Sequence, residues 1–440
     1  MPGSSILVRC VSGVAASISV LFAGYEVQAG GFGLREQSSY YQGSAFAGYA
    51  TSGGEGLASM YWNPAAVNFT PGLAVEQNFS YIAPHASIDV FSASNAFGTN
   101  LGNLGVGDIA DNGLVPTGYA SYGWDRFVIG LSLNSPYGLV TDATCNWSGA
   151  FYGCKSSIFD VNGQVSLAYK VNEWLALGAS VNVNYIHVHL DNAQILGVTQ
   201  QGPLVGSAQV VGDSLGVGFG LGAVFTFAPG TTLGIGYRSA VDQSLNGNVN
   251  LLFLNNQIAQ RDARSDLTLP DQVSASFRSQ LDSKWTVLAT AEWTNWSSVQ
   301  QLAVISQGAL ASLQELHWND GWFFSVGAEY RWDPKLALRA GIAYELTPVP
   351  DETRSPRLPD TNRTWFSAGA TYWFTPQFSA DLGYSFILGE NSPINQLQLA
   401  PGNLTRGNLI AEVNDGYVHI ISAGLRYRFD TTPTQPLFTK

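Results

Sequence analysis

Residues 419–429 read HIISAGLRYRF, and the character of their side chains alternates along the chain. The apolar Ile421 and Leu425 fall on one face of an extended chain, while Ser422 and Arg426 fall on the other. A period of two indicates a β-strand whose two faces meet different surroundings. Lipid outside a membrane β-barrel and a polar lumen inside it would provide these surroundings, and so would a half-buried strand of a soluble sandwich.

The same alternation recurs along most of the chain, in segments about as long as a tilted strand that crosses a bilayer. These segments are centred near residues 77, 118, 131, 164, 181, 221, 237, 273, 290, 325, 341, 368, 382 and 423. Tight polar turns separate several of them: Asn172-Glu173, Ala228-Pro229-Gly230, Asp282-Ser283, Asp333-Pro334 and Thr375-Pro376. Longer gaps near residues 84–112, 191–211, 251–265, 297–316, 346–360 and 388–414 predict extracellular loops. The pattern therefore predicts an all-β fold, a transmembrane antiparallel β-barrel of about 14 strands over residues 71–430.

The composition agrees with a barrel and disfavours other classes. Only 12% of the 440 residues are charged, glycine is abundant at 48 residues, and the formal net charge is −12. Glycine weakens helices, and a nucleic-acid-binding protein needs a basic face, so we expect no nucleic-acid partner. After Ala29 no run of 18 apolar residues occurs, which leaves a closed barrel as the way to cross a membrane.

Residues 1–29 have the character of a secretory signal peptide. Arg9 precedes an apolar stretch, and Val27-Gln28-Ala29 has the small side chains of a cleavage site. An uncleaved anchor helix is the alternative, although the apolar stretch is short for a bilayer. We therefore expect export to the outer membrane of a Gram-negative bacterium.

The last predicted strand also carries information on assembly. Its Ser422, Gly424, Tyr427 and Phe429 resemble the terminal signal that the barrel-assembly machinery reads, which makes that machinery an expected partner. Residues 431–440 follow as a polar segment, and we expect a flexible periplasmic tail.

Cys145 and Cys154 are the two cysteines that remain after the signal peptide. In an oxidising compartment such a pair most simply forms a disulfide. A metal site is the less favoured alternative, because no second cysteine pair or histidine cluster lies near it in the sequence. We expect neither a metal nor a cofactor.

Residues 30–70 do not follow the period of two. They are rich in glycine, serine and alanine, yet they contain many large apolar side chains: Phe32, Leu34, Tyr40, Tyr41, Phe46, Tyr49, Leu57, Met60, Tyr61 and Trp62. A disordered periplasmic tail is one interpretation of this segment. We favour a plug in the lumen, because disordered segments are poor in apolar residues.

Several motifs, taken in order, resemble the FadL-like family of outer-membrane transporters, which import long-chain fatty acids or aromatic hydrocarbons. The motifs are Gly30–Ser38, Ala45–Gly48, Trp62–Ala65, Pro136–Leu139, Tyr237–Ser239, Leu269–Asp271, Thr294–Ser297 and the densest stretch, Ser325–Gly389. Each motif alone is modest, but their order covers essentially the whole mature chain.

This resemblance implies a monomeric barrel of fourteen strands whose lumen is closed by an N-terminal hatch. It places six of the residues quoted above in the hatch: Phe32, Leu34, Trp62, Asn63, Pro64 and Ala65. It also implies that a hydrophobic small molecule binds inside and leaves sideways into outer-membrane lipid, through an opening at a kinked third strand.

The third predicted strand, residues 127–142, has features that suit such a lateral gate. Pro136 lies inside it, where proline removes a backbone donor, and a glycine follows two residues later. We therefore predict a bulge or kink at the gate residues Asn134, Ser135, Pro136, Tyr137 and Gly138. The alternative is a strand that simply ends at its extracellular rim.

Two groups of residues are candidate partners for the polar end of the substrate. The resemblance implies basic residues near a ligand carboxylate, but Asn192 and Asn319 occupy the corresponding places here, which keeps neutral hydrocarbons possible. Arg354 and Arg363 are the candidate carboxylate partners. The alternative is that these arginines form ion pairs with Asp351, Glu352 or Asp360.

Three classes of function remain: a transporter of hydrophobic compounds, a general diffusion porin and an outer-membrane lipid hydrolase. The apolar segment 30–70 counts against an open porin. Residues 212–216 read GDSLG and match a nucleophile motif, but that motif needs a strand, a turn and a helix, whereas an alternating strand follows here. We expect a transporter and no enzyme.

Overall fold

The computed structural model describes residues 30–67 and 69–429. The predicted signal peptide at residues 1–29 and the predicted tail at residues 431–440 lie outside the described residues.

The described residues form twenty-one strands that belong to a single sheet. In chain order they are β1 Gly72–Ser94, β2 Asn100–Gly102, β3 Gly113–Trp124, β4 Phe127–Asn134, β5 Gly138–Asp142, β6 Lys155–Lys170, β7 Leu175–Thr199, β8 Gly202–Ala228, β9 Thr231–Arg238, β10 Val241–Phe253, β11 Asn256–Leu269, β12 Gln272–Gln280, β13 Trp285–Thr294, β14 Gln301–Ser306, β15 Ala309–Glu315, β16 Gly321–Asp333, β17 Leu336–Leu346, β18 Arg363–Trp373, β19 Phe378–Gly389, β20 Ser392–Gln396 and β21 Asn408–Arg428.

These strands make a closed antiparallel barrel, which confirms the predicted fold. The barrel wall has fourteen positions, each occupied by one strand or by two strands in succession, and we call each position a stave. Three staves consist of two strands each: β4 with β5, β9 with β10, and β11 with β12. The barrel closes where β1 pairs with β21, from Ala74↔Arg428 to Ser94↔Asn408. The short strands β2, β14, β15 and β20 belong to the extracellular connections.

The two faces of each stave differ as the alternation predicts. In β21 the side chains of Ile421 and Leu425 are each 54% exposed and face outward, where lipid covers them, while Ser422 is 0% and Arg426 7% exposed. Apolar residues on the outer face and polar residues on the inner face are what a barrel in a bilayer requires.

All five tight polar turns lie between consecutive staves, but some predicted loops are strands. Residues 191–211 belong to β7 and β8, which continue until only residues 200–201 separate them. Residues 251–265 belong to β10 and β11, whose two-residue turn has φ of 50° at Leu254 and 64° at Asn255, as a type I′ hairpin needs. Beyond the membrane both faces of a strand can be polar, so pairing continues while the period-two signal disappears.

The N-terminal segment, residues 30–67, lies in the barrel lumen. It contains two short helices, α1 Ser39–Gln42 and α2 Ser59–Trp62. Its hydrogen bonds reach inward-facing groups around the barrel, such as Asn78 in β1, Ser276 in β12 and Thr290 in β13. Phe46 is 0% and Trp62 2% exposed, so the apolar side chains of the segment form a core inside the barrel. Within the described residues, no helix has the length and apolar character needed to cross a membrane.

Candidate functional site

The third stave is interrupted within its pairing to β6. The last pair of β4 is Asn134↔Asn162, and the first pair of β5 is Gly138↔Phe159. Three residues, Ser135, Pro136 and Tyr137, therefore stand opposite the two residues 160–161. One extra residue in one strand is a β-bulge, and it leaves backbone groups of the stave without ladder partners.

The other side of the third stave is open over a longer stretch. Pairing of β3 with β4 runs from Trp124↔Phe127 to Gly118↔Leu133 and stops there. Residues 113–117 of β3 pair with β1 alone. Pro116 lies in this stretch, so a proline that cannot donate to a ladder stands on each side of the opening. Sequence reasoning missed Pro116, although a proline within an alternating segment is a readable signal for an unpaired edge.

The N-terminal segment bonds to the backbone of the interrupted stave. Leu34 N–H donates to Pro136 O at 2.7 Å, and Gly138 N–H donates to Phe32 O at 2.9 Å. Gly33 and Tyr137 form an antiparallel bridge between these two bonds. Backbone groups that the wall leaves unpaired are thus satisfied from inside the barrel.

Side chains of the predicted gate residues also tie the interrupted stave to its surroundings. Asn134 Nδ2 donates to Tyr119 Oη of β3 at 2.7 Å, and Ser135 Oγ donates to Asp160 O of β6 at 2.8 Å. Gln37 Nε2 from the N-terminal segment donates to Ser135 O at 2.7 Å. The structure thus brings the predicted gate and the predicted hatch into direct contact.

A packed cluster of buried apolar side chains, which we call the apolar chamber, adjoins this contact. The ring of Phe32 lies 4.8 Å from that of Trp296, 5.7 Å from that of Tyr137 and 5.9 Å from that of Trp318. The cluster also contains the buried side chains of Leu139, Ile158, Ile186, Val188, Val241, Leu245, Leu269, Val299, Val349 and Leu358. Aromatic and aliphatic walls of this kind suit the apolar body of a small molecule.

The predicted hatch residues Asn63, Pro64 and Ala65 pack against β7 and β8. Asn63 Nδ2 donates to Ala50 O at 2.7 Å and to Ala223 O at 3.1 Å, and Asn63 Oδ1 accepts from Ala65 N–H at 2.9 Å. A Cβ at Gly222 would lie 1.8 Å from Asn63 Oδ1, so glycine is required for this close approach. Pro64 follows Asn63 against Gly178, where a Cβ would lie 2.5 Å from the Pro64 carbonyl carbon.

The four candidate polar residues do not share one element. Asn192 lies in β7, Asn319 in the connection before β16, and Arg354 and Arg363 in the connection after β17 and at the start of β18. Arg354 is bonded to Asp351, and Arg363 is bonded to Asp360, so both arginines have a carboxylate of their own chain. Asn319 is exposed in the connection before β16, where its N–H donates to Pro348 O at 2.8 Å. The ion pairs that the sequence left as an alternative are therefore what the structure contains.

A different arginine reaches the predicted polar position at Asn192. Arg357 Nη2 donates to Asn192 Oδ1 at 3.0 Å, and Nη1 donates to Ser156 Oγ at 3.3 Å. Burial and the neighbouring Arg406 lower the pKa of Arg357 to about 9, so the guanidinium keeps its charge at neutral pH. Among the described residues no carboxylate forms an ion pair with it, since Asp191 is bonded to His189 at 2.8 Å. No local sequence signal distinguishes Arg357 from its neighbours.

The two cysteines lie in the connection between β5 and β6. A disulfide joins Cys145 to Cys154, with their Cα atoms 4.8 Å apart. Trp147 Nε1 donates to Gly153 O at 2.9 Å within the same loop, so the loop has its own compact structure beside the third stave.

The nucleophile-like motif of residues 212–216 is part of β8, which runs without interruption from Gly202 to Ala228. His187 Nδ1 lies 3.5 Å from Asp213 Oδ1, but Ser214 is the next residue and faces the opposite side of the strand. The three groups therefore do not converge as a catalytic triad must.

Comparison with known proteins agrees with this architecture. Residues 20–429 match the family described as outer membrane protein transport protein (OMPP1/FadL/TodX). The chain belongs to this family. It is 28% identical to outer membrane protein P1 of Haemophilus influenzae, with 93% of this chain and 98% of that protein covered.

Another relative is the long-chain fatty acid transport protein of Escherichia coli K12, at 26% identity over 87% of this chain and 93% of that protein. Among solved structures, a Pseudomonas aeruginosa FadL homologue superposes with a TM-score of 0.82 and 24% identity. This superposition covers 91% of the present chain and all of the other, which supports the same fold. Family and fold together place the chain in the outer membrane as a β-barrel.

Proposed function

We propose that this protein carries hydrophobic compounds, either long-chain fatty acids or aromatic or aliphatic hydrocarbons, inward across the outer membrane. In this proposal residues 30–70 act as a hatch, and substrate leaves the lumen sideways through the interrupted third stave into outer-membrane lipid. The observation that carries the proposal is the backbone pairing of Phe32 and Leu34 with Pro136 and Gly138. This pairing links the N-terminal segment in the lumen, which we also call the lumenal segment, to the opening in the wall.

A lateral route is physically favourable for an apolar molecule. Transfer of apolar surface into water costs about 25 cal/mol per Å², so release into an aqueous periplasm opposes transport. An opening beside residues 113–117 of β3 lets the molecule pass from the apolar chamber to the bilayer without entering water. Residues 30–67 fill the lumen below the chamber. They oppose passage of the substrate along the barrel axis and disfavour a general diffusion porin.

Binding in the chamber and opening of the hatch are coupled in this proposal. Phe32 belongs to the chamber, and its neighbours Gly33 and Leu34 hold the interrupted stave. A substrate that displaces Phe32 from Trp296 and Trp318 therefore also weakens the bonds to Pro136 and Gly138. The protein acts as a monomer, because a single barrel contains the chamber, the hatch and the opening.

The substrate class follows from the chamber and from one relative. The E. coli relative is named a long-chain fatty acid transport protein, and Arg357 beside Asn192 supplies a cation that a carboxylate could bind. Neutral hydrocarbons fit the apolar chamber without using Arg357. No catalytic step is part of this proposal.

The test is identification by mass spectrometry of molecules that co-purify from outer membranes, together with uptake by cells that carry Pro136→Ala and Gly138→Ala. We expect fatty acids or hydrocarbons in the purified protein and a loss of their uptake in the variant cells. An empty barrel that passes small polar solutes, with both substitutions silent, would replace the transporter with a porin.

A further inference from the structure

Two extracellular connections at the closure of the barrel present large apolar side chains to solvent. They are the connection between β1 and β3 and the connection between β19 and β21, which meet because β1 pairs with β21. Phe97 in the first is 59% exposed, and in the second Leu397 is 53%, Leu399 89% and Leu404 64% exposed. We call these four side chains the rim patch.

A single side chain groups the four members of the rim patch. Gln398 lies between two of them in the chain, and its Nε2 donates to the carbonyl oxygen of Leu404, the third member, at 3.4 Å. The same Nε2 donates to Ala96 O, next to Phe97, at 2.9 Å. Apolar residues scattered singly are normal on a protein surface, whereas an exposed group of them marks a site of interaction.

Buried asparagines fix the turns that carry the rim patch. Asn95 is 3% exposed, and its Oδ1 accepts from Phe97 N–H at 2.9 Å. Asn403 is 5% exposed, and its Nδ2 donates to Leu397 O at 3.2 Å. Because these turns are held by their own hydrogen bonds, the exposed patch belongs to the ordered fold and needs no reordering when it binds a partner.

The rim patch lies beyond the lipid that covers the outer face of the staves. Tyr417 and Phe386, with ring centroids 6.5 Å apart, belong to the aromatic residues at the outer end of the membrane-crossing part of β21 and β19. From Tyr417 the strand β21 continues to Asn408 for about 30 Å, at about 3.3 Å per residue. The patch at the end of this extension therefore faces the medium outside the cell.

The two connections are free of charge as well as apolar. Residues 91–107 and residues 391–405 contain no Asp, Glu, Lys, Arg or His, although the chain as a whole has a formal net charge of −12. The hairpin of β10 and β11 differs, since residues 261–266 read RDARSD. The absence of charge is therefore a property of these two connections and not of every extracellular hairpin.

This composition selects among the surfaces that suit the patch. Binding to the headgroups of a lipid bilayer uses Lys and Arg, and neither stretch contains one. Specific protein interfaces are anchored by Trp, Tyr and Arg, which both stretches also lack. An uncharged group of Leu and Phe side chains is complementary to an uncharged apolar surface, where removal of apolar area from water alone drives contact.

We propose that the rim patch docks the protein on the surface of a liquid hydrocarbon, such as an alkane droplet in water. This inference rests on the proposed function and adds the form in which an apolar substrate is presented to the protein. A sparingly soluble hydrocarbon has few free molecules in water, so contact with the droplet surface supplies the barrel faster than capture of dissolved molecules.

The support of the rim patch is continuous with the gate region. Leu409, at the base of the patch, belongs to the same buried apolar cluster as Ile109 and Ala143. The segments that contain Ile109 and Ala143 also form the bridge between Ala110 and Thr141, at the extracellular end of the opening in the wall. A droplet docked at the patch therefore lies on the side of the barrel that contains the opening.

The test uses a four-glutamine variant in which the whole patch is made polar: Phe97→Gln, Leu397→Gln, Leu399→Gln and Leu404→Gln. All four side chains are exposed, so the variant loses no core contacts and should reach the outer membrane in wild-type amounts. The measurement is the partition of cells that lack O-polysaccharide between buffer and hexadecane. We expect the wild-type protein to raise adhesion to hexadecane by about tenfold and the four-glutamine variant to return it to the level of cells without the protein.

The matched control removes the same number of exposed apolar side chains outside the patch. Val198→Gln, Leu254→Gln, Ile258→Gln and Leu310→Gln alter residues that are 56% to 77% exposed and lie in three separate hairpins. We expect this control to adhere to hexadecane within about twofold of the wild type, because scattered side chains offer no continuous apolar surface.

A second measurement separates docking from transport. Labelled hexadecane is supplied to the cells either as droplets or as a soluble complex with a cyclodextrin. We expect the four-glutamine variant to lose about tenfold in uptake from droplets and to keep uptake from the complex within about twofold of the wild type, because only the droplet needs a docking surface.

Equal adhesion of the wild type and the four-glutamine variant, or an equal loss of adhesion in the control, would overturn the inference and leave transport intact. An equal loss of uptake from both forms of hexadecane would overturn it as well, since the patch would then belong to the transport route. A wild type that purifies as a dimer where the variant is a monomer would assign the patch to a second copy of this chain. Absence of uptake by wild-type cells from the cyclodextrin complex would instead contradict the proposed function.

Discussion

β6 pairs with a different neighbour along each of its two edges, and only one of the two pairings is continuous. We call the continuous edge the seam; the other edge contains the gate residues. Along one edge β6 pairs with β7 without a shift, from Lys155↔Asp191 to Lys170↔Ala176. Along the other edge it pairs with β4 and then with β5, and the register moves by one residue between Asn134↔Asn162 and Gly138↔Phe159. Because β6 is common to both edges, the difference arises in the third stave.

The comparison also shows what replaces the missing ladder bonds. The seam between β6 and β7 is satisfied by its own two strands. At the gate, Leu34 N–H and Phe32 O from the lumenal segment bond to Pro136 and Gly138. A wall that depends on a separate segment for its hydrogen bonds can open when that segment moves, while a wall that satisfies itself cannot.

The largest effect is expected from fixing the lumenal segment to the gate. Gly33 and Tyr137 are antiparallel bridge partners, so cysteines at both positions are close enough for a disulfide. We expect oxidised Gly33→Cys/Tyr137→Cys protein to lose uptake by about a hundredfold, because the hatch can no longer leave the opening. Addition of a reductant should restore uptake in the same cells.

The control applies the same chemistry to the seam. Ser166 of β6 and Ser180 of β7 are paired across the continuous edge. A disulfide in Ser166→Cys/Ser180→Cys should leave uptake within about twofold of the wild type, because that edge has no opening to lock. An equal loss of uptake with both disulfides would mean that the gate does not open during transport and differs from the seam only in its geometry.

The next largest effect is expected from loosening the lumenal segment. Asn63→Ala removes three hydrogen bonds to Ala50, Ala65 and Ala223, which should destabilise this segment locally by about 2–4 kcal/mol. We expect the time-averaged ion conductance through single barrels in planar bilayers to rise by about thirtyfold or more, because 1.4 kcal/mol is a factor of about ten in the opening equilibrium. Asn403→Ala, in an extracellular loop where Asn403 bonds to Gln396 and Leu397, is the matched control and should not leak.

The smallest effect concerns specificity. Removal of the cation in Arg357→Gln should weaken binding of dodecanoate by about tenfold, since a charge-assisted hydrogen bond is lost, and should leave octylbenzene binding unchanged. Arg126→Gln, in the turn between β3 and β4, changes the same charge far from the chamber and is the control. An equal loss for both ligands would show that Arg357 has a structural role only.

Much of the fold could be predicted because a barrel repeats one local rule. Alternation in β21 and the turn at Asp333-Pro334 are visible within a few residues of sequence. The predicted loop at residues 191–211 was wrong, because β7 and β8 extend through these residues. Strands outside the bilayer lose the contrast between an apolar and a polar face, so the sequence pattern did not reveal them. Pro136 predicted a break in the third strand, but the one-residue shift depends on pairing with β6 and cannot be read from one strand.

The candidate site depends still more on contacts between distant residues. Arg357 and Asn192 lie 165 residues apart in the chain, and nothing near Arg357 in the sequence marks it. The bridge between Gly33 and Tyr137 likewise joins two segments with no local pattern in common. The sequence indicated a hatch and a gate, and the fold was needed to show that they are bonded to each other.

The most direct test of lateral exit is to make the gate like the seam. Deletion of Ser135 leaves two residues opposite residues 160–161, and Pro136→Val in the same protein restores a backbone donor. The third stave can then run straight, pair continuously with β6 and extend its pairing with β3 across residues 113–117, which closes the opening. We predict that this variant still forms a barrel in the outer membrane but takes up labelled fatty acid or hydrocarbon no faster than cells that lack the protein. Uptake at the wild-type rate through the continuous wall would contradict lateral exit.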